Sequence, residues 1–210
     1  MKKKHLIITA GPTYEPIDPV RGITNRSTGL LGYEIAKQAL ERHYKVTLIT
    51  GPVQIAPPQG VKLIRVLEAR EMKMAVMNHV RGADAIIMSA AVSDFRVLSS
   101  SKHKIKKQKK LVLKLVENPD ILKAIKKAKL RKIGFALESK NLISNARKKL
   151  NEKKLDVIVA NKIDRKNMPF GFGRKNYCFI TKTNSVQKFY KKTKKEIAGA
   201  ILDTLKNIVL

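Results

Sequence analysis

A chain of 210 residues with 43% apolar side chains is long enough to bury a core of its own, and it is read as one domain spanning residues 1–210. Its one cysteine, Cys178, excludes an internal disulfide framework or a cysteine-rich metal site, and no run approaches the roughly 20 apolar residues of a membrane span, so a cytoplasmic protein without a membrane partner is expected. The net charge of +29 raises nucleic acid as a partner, but most of the 45 basic residues are lysines scattered over predicted helix faces with few aromatics among them, and no nucleic-acid partner is expected.

His5-Leu-Ile-Ile-Thr9 is a short apolar, β-branched run that predicts a buried strand. From Gly29 to His43 the apolar residues Leu30, Tyr33, Ile35, Ala36, Ala39 and Leu40 fall near one helical face, with Glu34, Lys37, Glu41 and Arg42 largely opposite. Lys45 to Thr50 and Lys62 to Val66 predict two more strands, Glu68 to Val80 a second helix, and Ala85 to Ser89 a further strand. This alternation predicts a Rossmann-like, doubly wound α/β fold with a mainly parallel sheet.

The rhythm breaks after Asp94, where a basic stretch leads to Leu111-Val-Leu-Lys-Leu-Val116, a candidate arm strand outside the main sheet. Alternation resumes with a helix over Asp120 to Ala128, a strand over Lys132 to Ala136, a helix over Leu142 to Lys153 and a strand over Asp156 to Ala160. Tyr177 to Thr181 and Ser185 to Tyr190 predict a C-terminal β-hairpin, and Thr193 caps a closing helix that runs to Val209.

Ligands of open α/β sheets bind beyond the carboxyl ends of the strands, so the residues that follow each strand carry the functional information. The first such segment, Thr9 to Gly29, has about twenty residues where a βα connection usually takes about 2–6. Pro12, Pro16 and Pro19 stiffen it, and Thr13, Arg21, Asn25, Arg26, Ser27 and Thr28 lead into a helix start whose free N–H groups favour an anion. A solvated loop with an ordinary Ser27 or Thr28 cap explains the same residues. A dinucleotide fingerprint is absent, because Gly11-Pro12 and Gly29-x-x-Gly32 lie too far apart to form its turn.

In the second segment, Ser89-Ala-Ala-Val-Ser-Asp94, small residues would let a ligand approach the backbone, and Asp94 could hold a ribose or a magnesium ion or merely cap a turn. The third, Lys104-Ile-Lys-Lys107 with Asn118-Pro-Asp-Ile-Leu122, offers cations for developing phosphoryl charge, although most lysine runs are simply solvated. The fourth joins Gly134-Phe-Ala-Leu-Glu138 and Ala160-Asn161 to Lys149 and Lys153, one helical turn apart.

Taken in order, Glu15-Pro-Ile-Asp-Pro-Val-Arg-Gly-Ile-Thr-Asn-Arg-Ser-Thr-Gly29, Gly32-Tyr33, Ser89 to Asp94, Lys104 to Lys107, Asn118 to Ile121, Gly134-Phe135, Lys149-Leu150, Lys153 and Ala160-Asn161 resemble the phosphopantothenate-cysteine ligase family, also called phosphopantothenoylcysteine synthetase, over nearly the whole chain. The resemblance implies a two-step reaction of coenzyme A biosynthesis. The carboxylate of 4'-phosphopantothenate attacks the α-phosphate of CTP, or of ATP, with release of pyrophosphate, and cysteine then displaces the nucleotide from the acyl-nucleotide, an acyl-cytidylate for CTP. It also implies Asn25 and Lys104 as catalytic residues, Arg21 and Ala90 as phosphopantothenate contacts, and a nucleotide site of Gly11, Thr13, Asp94, Lys104, Pro119, Asp120, Ile121, Leu122, Phe135, Lys149 and Lys153. A divalent cation, Mg2+ at Asp94, and a homodimer are implied as well. Where many relatives read Ala-Gly-Gly-Thr this chain reads Ala10-Gly-Pro-Thr13, which removes one backbone donor from the expected phosphate contact. Many bacterial relatives fuse the ligase behind a flavin-dependent decarboxylase, so a separate decarboxylase partner, or a fragment of such a fusion, is expected here.

Overall fold

The computed structural model describes residues 3–127, 129–163, 170, 171 and 173–209. Strands β1 (His5–Ala10), β4 (Lys45–Thr50), β5 (Lys62–Arg65), β6 (Ala85–Met88), β9 (Arg131–Glu138) and β10 (Val157–Lys162) run parallel, and β11 (Lys175–Thr181) and β12 (Val186–Lys192) add an antiparallel hairpin. Together they form one sheet in the order β12-β11-β10-β9-β6-β1-β4-β5. The chain winds outward from β1 in one direction through β4 and β5, then returns to lay β6 on the other flank. The topological switch point therefore lies between β1 and β6, where the first connections diverge and leave a crevice.

Burial on both faces follows from side-chain alternation along strands such as β1, where Leu6, Ile8 and Ala10 face one layer and Ile7 the other. One layer holds α1 (Leu30–Glu41) and α5 (Lys194–Val209), and its core contains Ile35, Ala36, Ile197 and Ile201. The opposite layer holds α2 (Ala69–Val80), α3 (Ile121–Ala124) and α4 (Leu142–Glu152), with Met72, Val76, Leu122 and Leu150 against the sheet. Helices α1 and α5 are also joined by polar contacts: Gln38 Nε2 donates to the Lys195 carbonyl at 2.8 Å, and Arg42 pairs with Asp203 at 2.6 Å. Thr193 and Glu196 close α5 with a reciprocal capping box, and the Thr193 amide, followed by Lys192 and the Thr193 hydroxyl, holds the Glu196 carboxyl down at about 2. Cys178 is buried on β11, and burial pushes its thiol up.

Two short antiparallel ribbons sit outside the main sheet. The first, β2 (Tyr14–Pro16) with β3 (Gly22–Thr24), folds the long connection after β1 back on itself. The second pairs β7 (Phe95–Val97) with β8 (Leu115–Glu117), so the expected arm does leave the main sheet, but its strand is confined to 115–117. Residues 98–114 contain no helix or strand.

Helix α3 is the other departure. A helix over Asp120 to Ala128 was expected; instead the backbone is already extended at Ile125, and Ala128 lies outside the described residues. One turn suffices to bury Ile121 and Leu122, and Ile125 reaches the same core in an extended conformation. Lys127 is thereby released from helical geometry, and its ammonium donates to the Val80 carbonyl at 3.4 Å, the Arg81 carbonyl at 3.0 Å and the Ala83 carbonyl. These acceptors mark the end of α2, where unpaired carbonyls and the negative end of the dipole favour a cation. Lys127→Met is expected to lower stability by about 1–2 kcal/mol, read as a shift of the urea midpoint without a change in slope.

Candidate functional site at the sheet switch point

The ends of β1 and β6 are stitched together by backbone bonds. The Ala91 amide donates to the Gly11 carbonyl at 2.9 Å, Pro12 bridges to Ala91, and the Thr13 amide donates to the Ala91 carbonyl at 3.3 Å. The Ser93 amide then donates to Thr13 Oγ1 at 2.9 Å. Gly11 and Thr13, expected at the nucleotide, are buried within this frame: the Gly11 carbonyl and the Thr13 amide and hydroxyl bond to the 91–93 segment, while the Thr13 carbonyl accepts from Thr24 Oγ1 at 2.7 Å. Pro12 also sits in the frame, through its bridge to Ala91.

In front of the frame lies a cleft of about 980 Å³. Its near wall is the start of α1, where Gly29, Leu30, Leu31 and Gly32 line the space. Neither Ser27 nor Thr28 caps the helix: the cap is Gly29, in a left-handed conformation with φ 75°, without a side-chain cap bond. Glycine is required twice over here. A Cβ at Gly29 would meet Val53 at 2.8 Å, and one at Gly32 would meet Ala10 at 2.6 Å and Ser89 at 2.7 Å, so α1 lies directly on the strand ends. The first-turn amides have no intrahelical acceptor and carry the positive end of the dipole into the cleft. Asn25 is aimed into the same space, with Nδ2 donating to the Ala91 carbonyl at 3.0 Å beside Ala90.

The far wall comes from α3 and α4. Pro119, Asp120, Ile121, Leu122, Phe135, Lys149 and Lys153 all line it. Lys153 pairs with Asp120 at 3.0 Å. Burial opposes ionisation of Asp120, but the Lys123 amide and Lys153 outweigh it and hold the carboxyl below its ordinary value. Lys149, one turn before Lys153, is half-buried; burial first and then the Lys153 charge pull its ammonium down, against Asp94, Glu138 and Asp120. Asp94 is exposed at the cleft rim. Among the described residues no three His, Cys, Asp or Glu side chains converge, so a protein-only metal cage is absent from them.

Lys194 and Tyr177 are among the cleft residues that the sequence reading did not single out. Lys194, at the first turn of α5, lines the cleft half-buried, and burial, then Lys175, lowers its pKa. Tyr177 lines it from β11, and burial pushes its phenol up to about 12, so the hydroxyl stays protonated. Lys194 is hidden in sequence by the lysines around it, and only its place at the predicted start of α5 could have singled it out.

Arg21 and Lys104 are not in this cleft. They line a separate depression of about 320 Å³, together with Ile105, Lys106, Lys107, Gln108 and Leu111. The candidate residues therefore form two groups: Asn25, Ala90, Asp94, the 119–122 turn, Phe135, Lys149 and Lys153 in one, and Arg21 with Lys104 in the other.

No helix among the described residues is long and apolar enough to cross a membrane. The family model of the DNA/pantothenate metabolism flavoprotein C-terminal domain matches residues 1–209. The chain is 40% identical to the Coenzyme A biosynthesis bifunctional protein CoaBC of Borreliella burgdorferi, over 98% of this chain and 53% of that protein. It therefore spans about half the length of the curated relatives it matches. Among solved structures, the C-terminal domain of a Coenzyme A biosynthesis bifunctional protein CoaBC superposes with a TM-score of 0.86 at 36% identity, covering 100% of this chain and 97% of that one. A Cab2 variant in complex with phosphopantothenate-cysteine shares the fold at 16% identity, with a TM-score of 0.80 over 97% of this chain and 87% of that one. By the extent of these matches and by its fold, the chain belongs to the DNA/pantothenate metabolism flavoprotein C-terminal domain family.

Proposed function

We propose that the chain is a phosphopantothenate-cysteine ligase acting in coenzyme A biosynthesis through an acyl-nucleotide intermediate, with CTP preferred to ATP. The observation that carries this reading is the cleft itself, which sets the bare amides of α1 and Asn25 on one wall against Lys149 and Lys153 on the other. A carboxylate does not react with an amine until its oxygen is made a leaving group. The task of the protein is then to hold a triphosphate and an acyl donor in line and to neutralise developing charge. The α1 amides suit the phosphates, and Lys149 and Lys153 suit the nucleotide from the far wall. Asn25, aimed at the junction of β1 and β6, can donate to the acyl oxygen while cysteine attacks.

Asp94 offers one hard oxygen ligand at the cleft rim, which fits a Mg2+ ion held jointly by the protein and substrate phosphates and unfit for an all-protein cage. Such an ion would withdraw charge from the triphosphate when bound.

Lys104 and Arg21, which line a depression apart from the cleft, are proposed to act in this reaction through a second copy of the chain. Val20, Leu98, Leu111, Val112 and Leu115 are exposed apolar side chains on the segments that carry these two residues, which supports a homodimer in which the depression of one subunit faces the cleft of the other. The relatives are named bifunctional proteins of coenzyme A biosynthesis, which supports a second activity beside this domain, and a decarboxylase that takes up the product is the partner proposed for it.

With 4'-phosphopantothenate and CTP but no cysteine, the protein is expected to release pyrophosphate; none from either CTP or ATP would reject the ligase reading. Asn25→Asp should still release it but form amide about 10²-fold more slowly. Lys104→Gln should slow pyrophosphate release itself by a similar factor, measured in the same coupled assay. A triphosphate on Lys149 should raise its depressed pKa, so binding at a pH above that pKa takes up protons and weakens as pH rises. Calorimetry in buffers of different ionisation enthalpy would detect this uptake, and Lys149→Met should abolish it.

A further inference from the structure

We propose that Asp18 is a positioning residue that fixes Arg21 and Lys104 as one unit, by clamping the Arg21 guanidinium and the backbone next to Lys104 on a single buried carboxylate oxygen. The inference rests on the roles just given to Arg21 and Lys104.

Asp18 is buried, and its side chain has no exposed surface. Its two oxygens do different jobs. Oδ1 accepts from the Val20 and Arg21 amides, both at 2.9 Å, which builds the turn of the Asp18-Pro-Val-Arg21 segment. A local turn needs nothing more. Oδ2 accepts instead from Arg21 Nε at 3.1 Å, from Arg21 Nη2, and from the Ile105 amide at 3.1 Å. Arg21 Nη2 also donates to the Ile105 carbonyl at 2.9 Å, so the residue after Lys104 is gripped at both its N–H and its C=O. A further tie, the Ser101 amide to the Ile17 carbonyl at 2.9 Å, holds the other end of the same segment.

This clamp matters because residues 98–114 have no secondary structure to place Lys104, whose side chain is exposed. A connection of that kind takes up one geometry only if specific bonds hold it. The guanidinium uses Nε and Nη2 on Asp18 and Ile105, which leaves Nη1 outside these bonds, and Arg21 lines the small depression that Lys104 shares. The Arg21 guanidinium holds the Asp18 carboxyl well below the usual range against the opposing effect of burial, so the clamp stays charged at neutral pH. Above the ordinary carboxylate range its contribution is complete, and it fades only as pH falls toward the depressed value.

Asp18→Asn is nearly isosteric. It keeps Oδ1 for the turn but presents an amide NH2 where three donors converge, so it breaks the clamp selectively. In the full-length protein the rate of pyrophosphate release at saturating CTP should fall about 10²-fold, while KM for CTP, bound in the separate cleft, moves less than about twofold. Hydrogen exchange at Ile105 and its neighbours should accelerate at least about 10-fold, with the core strands unchanged. Asp18→Ser, which keeps one oxygen for the turn, should reproduce both effects and replaces the first variant if that one folds poorly. Unchanged turnover beside an active wild type would overturn the proposal, and so would lost turnover with unaltered exchange at Ile105. A wild type that releases no pyrophosphate would instead sink the ligase reading, and the exchange at Ile105 would still decide whether the clamp exists.

Discussion

The bonds between the ends of β1 and β6 are the constraint on which the site depends. Parallel strands that wind away in opposite directions would leave a loose crevice, but here the Gly11 carbonyl, the Pro12 bridge and the Thr13 hydroxyl lock the 11–13 and 91–93 segments into one rigid floor. That floor fixes the angle at which α1 leaves, since Gly29 and Gly32 let the helix lie against the strand ends with no side chain between. It also supplies the Ala91 carbonyl on which Asn25 is oriented. The wall residues of α3 and α4 are then brought opposite by the core of the other layer, through Ile121, Leu122 and Leu150.

Charge is distributed to suit this frame. Most lysines lie on exposed faces, where water screens them and they determine little. Lys104 is exposed too and acts, as proposed, through the clamp that places it, whereas at the cleft Lys149 and Lys194 are drawn partly out of water and burial makes their ammonium groups easier to neutralise. Lys153 differs, because Asp120 holds it in place. An anionic ligand would thus meet one cation already positioned and two that gain from being paired.

Much of the fold was legible because the sheet is parallel and buried on both faces, so β1, β4, β6 and β10 read as continuous apolar runs and the helices between them keep a clear period. The ribbons were less legible. Pairs of three-residue strands such as β2–β3 and β7–β8 are set by contacts distant in sequence, and no local pattern announces them. The end of α3 was misjudged for a similar reason, since Lys127 is claimed by the carbonyls of α2. At the site, position after a strand identified the right neighbourhood but not the direction of each side chain. Ala90 and Phe135 line the cleft, whereas Gly11 and Thr13 turn into the frame, and Arg21 and Lys104 are carried to a different depression by the clamp at Asp18. Lys194 illustrates the converse, a cleft residue that composition concealed.

The state of the single sulfhydryl has a chemical consequence. Cys178 lies inside the sheet with its thiolate disfavoured by burial, and nucleophilic attack on a disulfide requires the thiolate. A protein that handles free cysteine, as proposed here, presents a small disulfide with no exposed thiol among these 210 residues. Covalent attachment of cysteine by disulfide exchange is therefore slowed while the fold is intact, and this resistance to S-thiolation is built into the position of one strand residue.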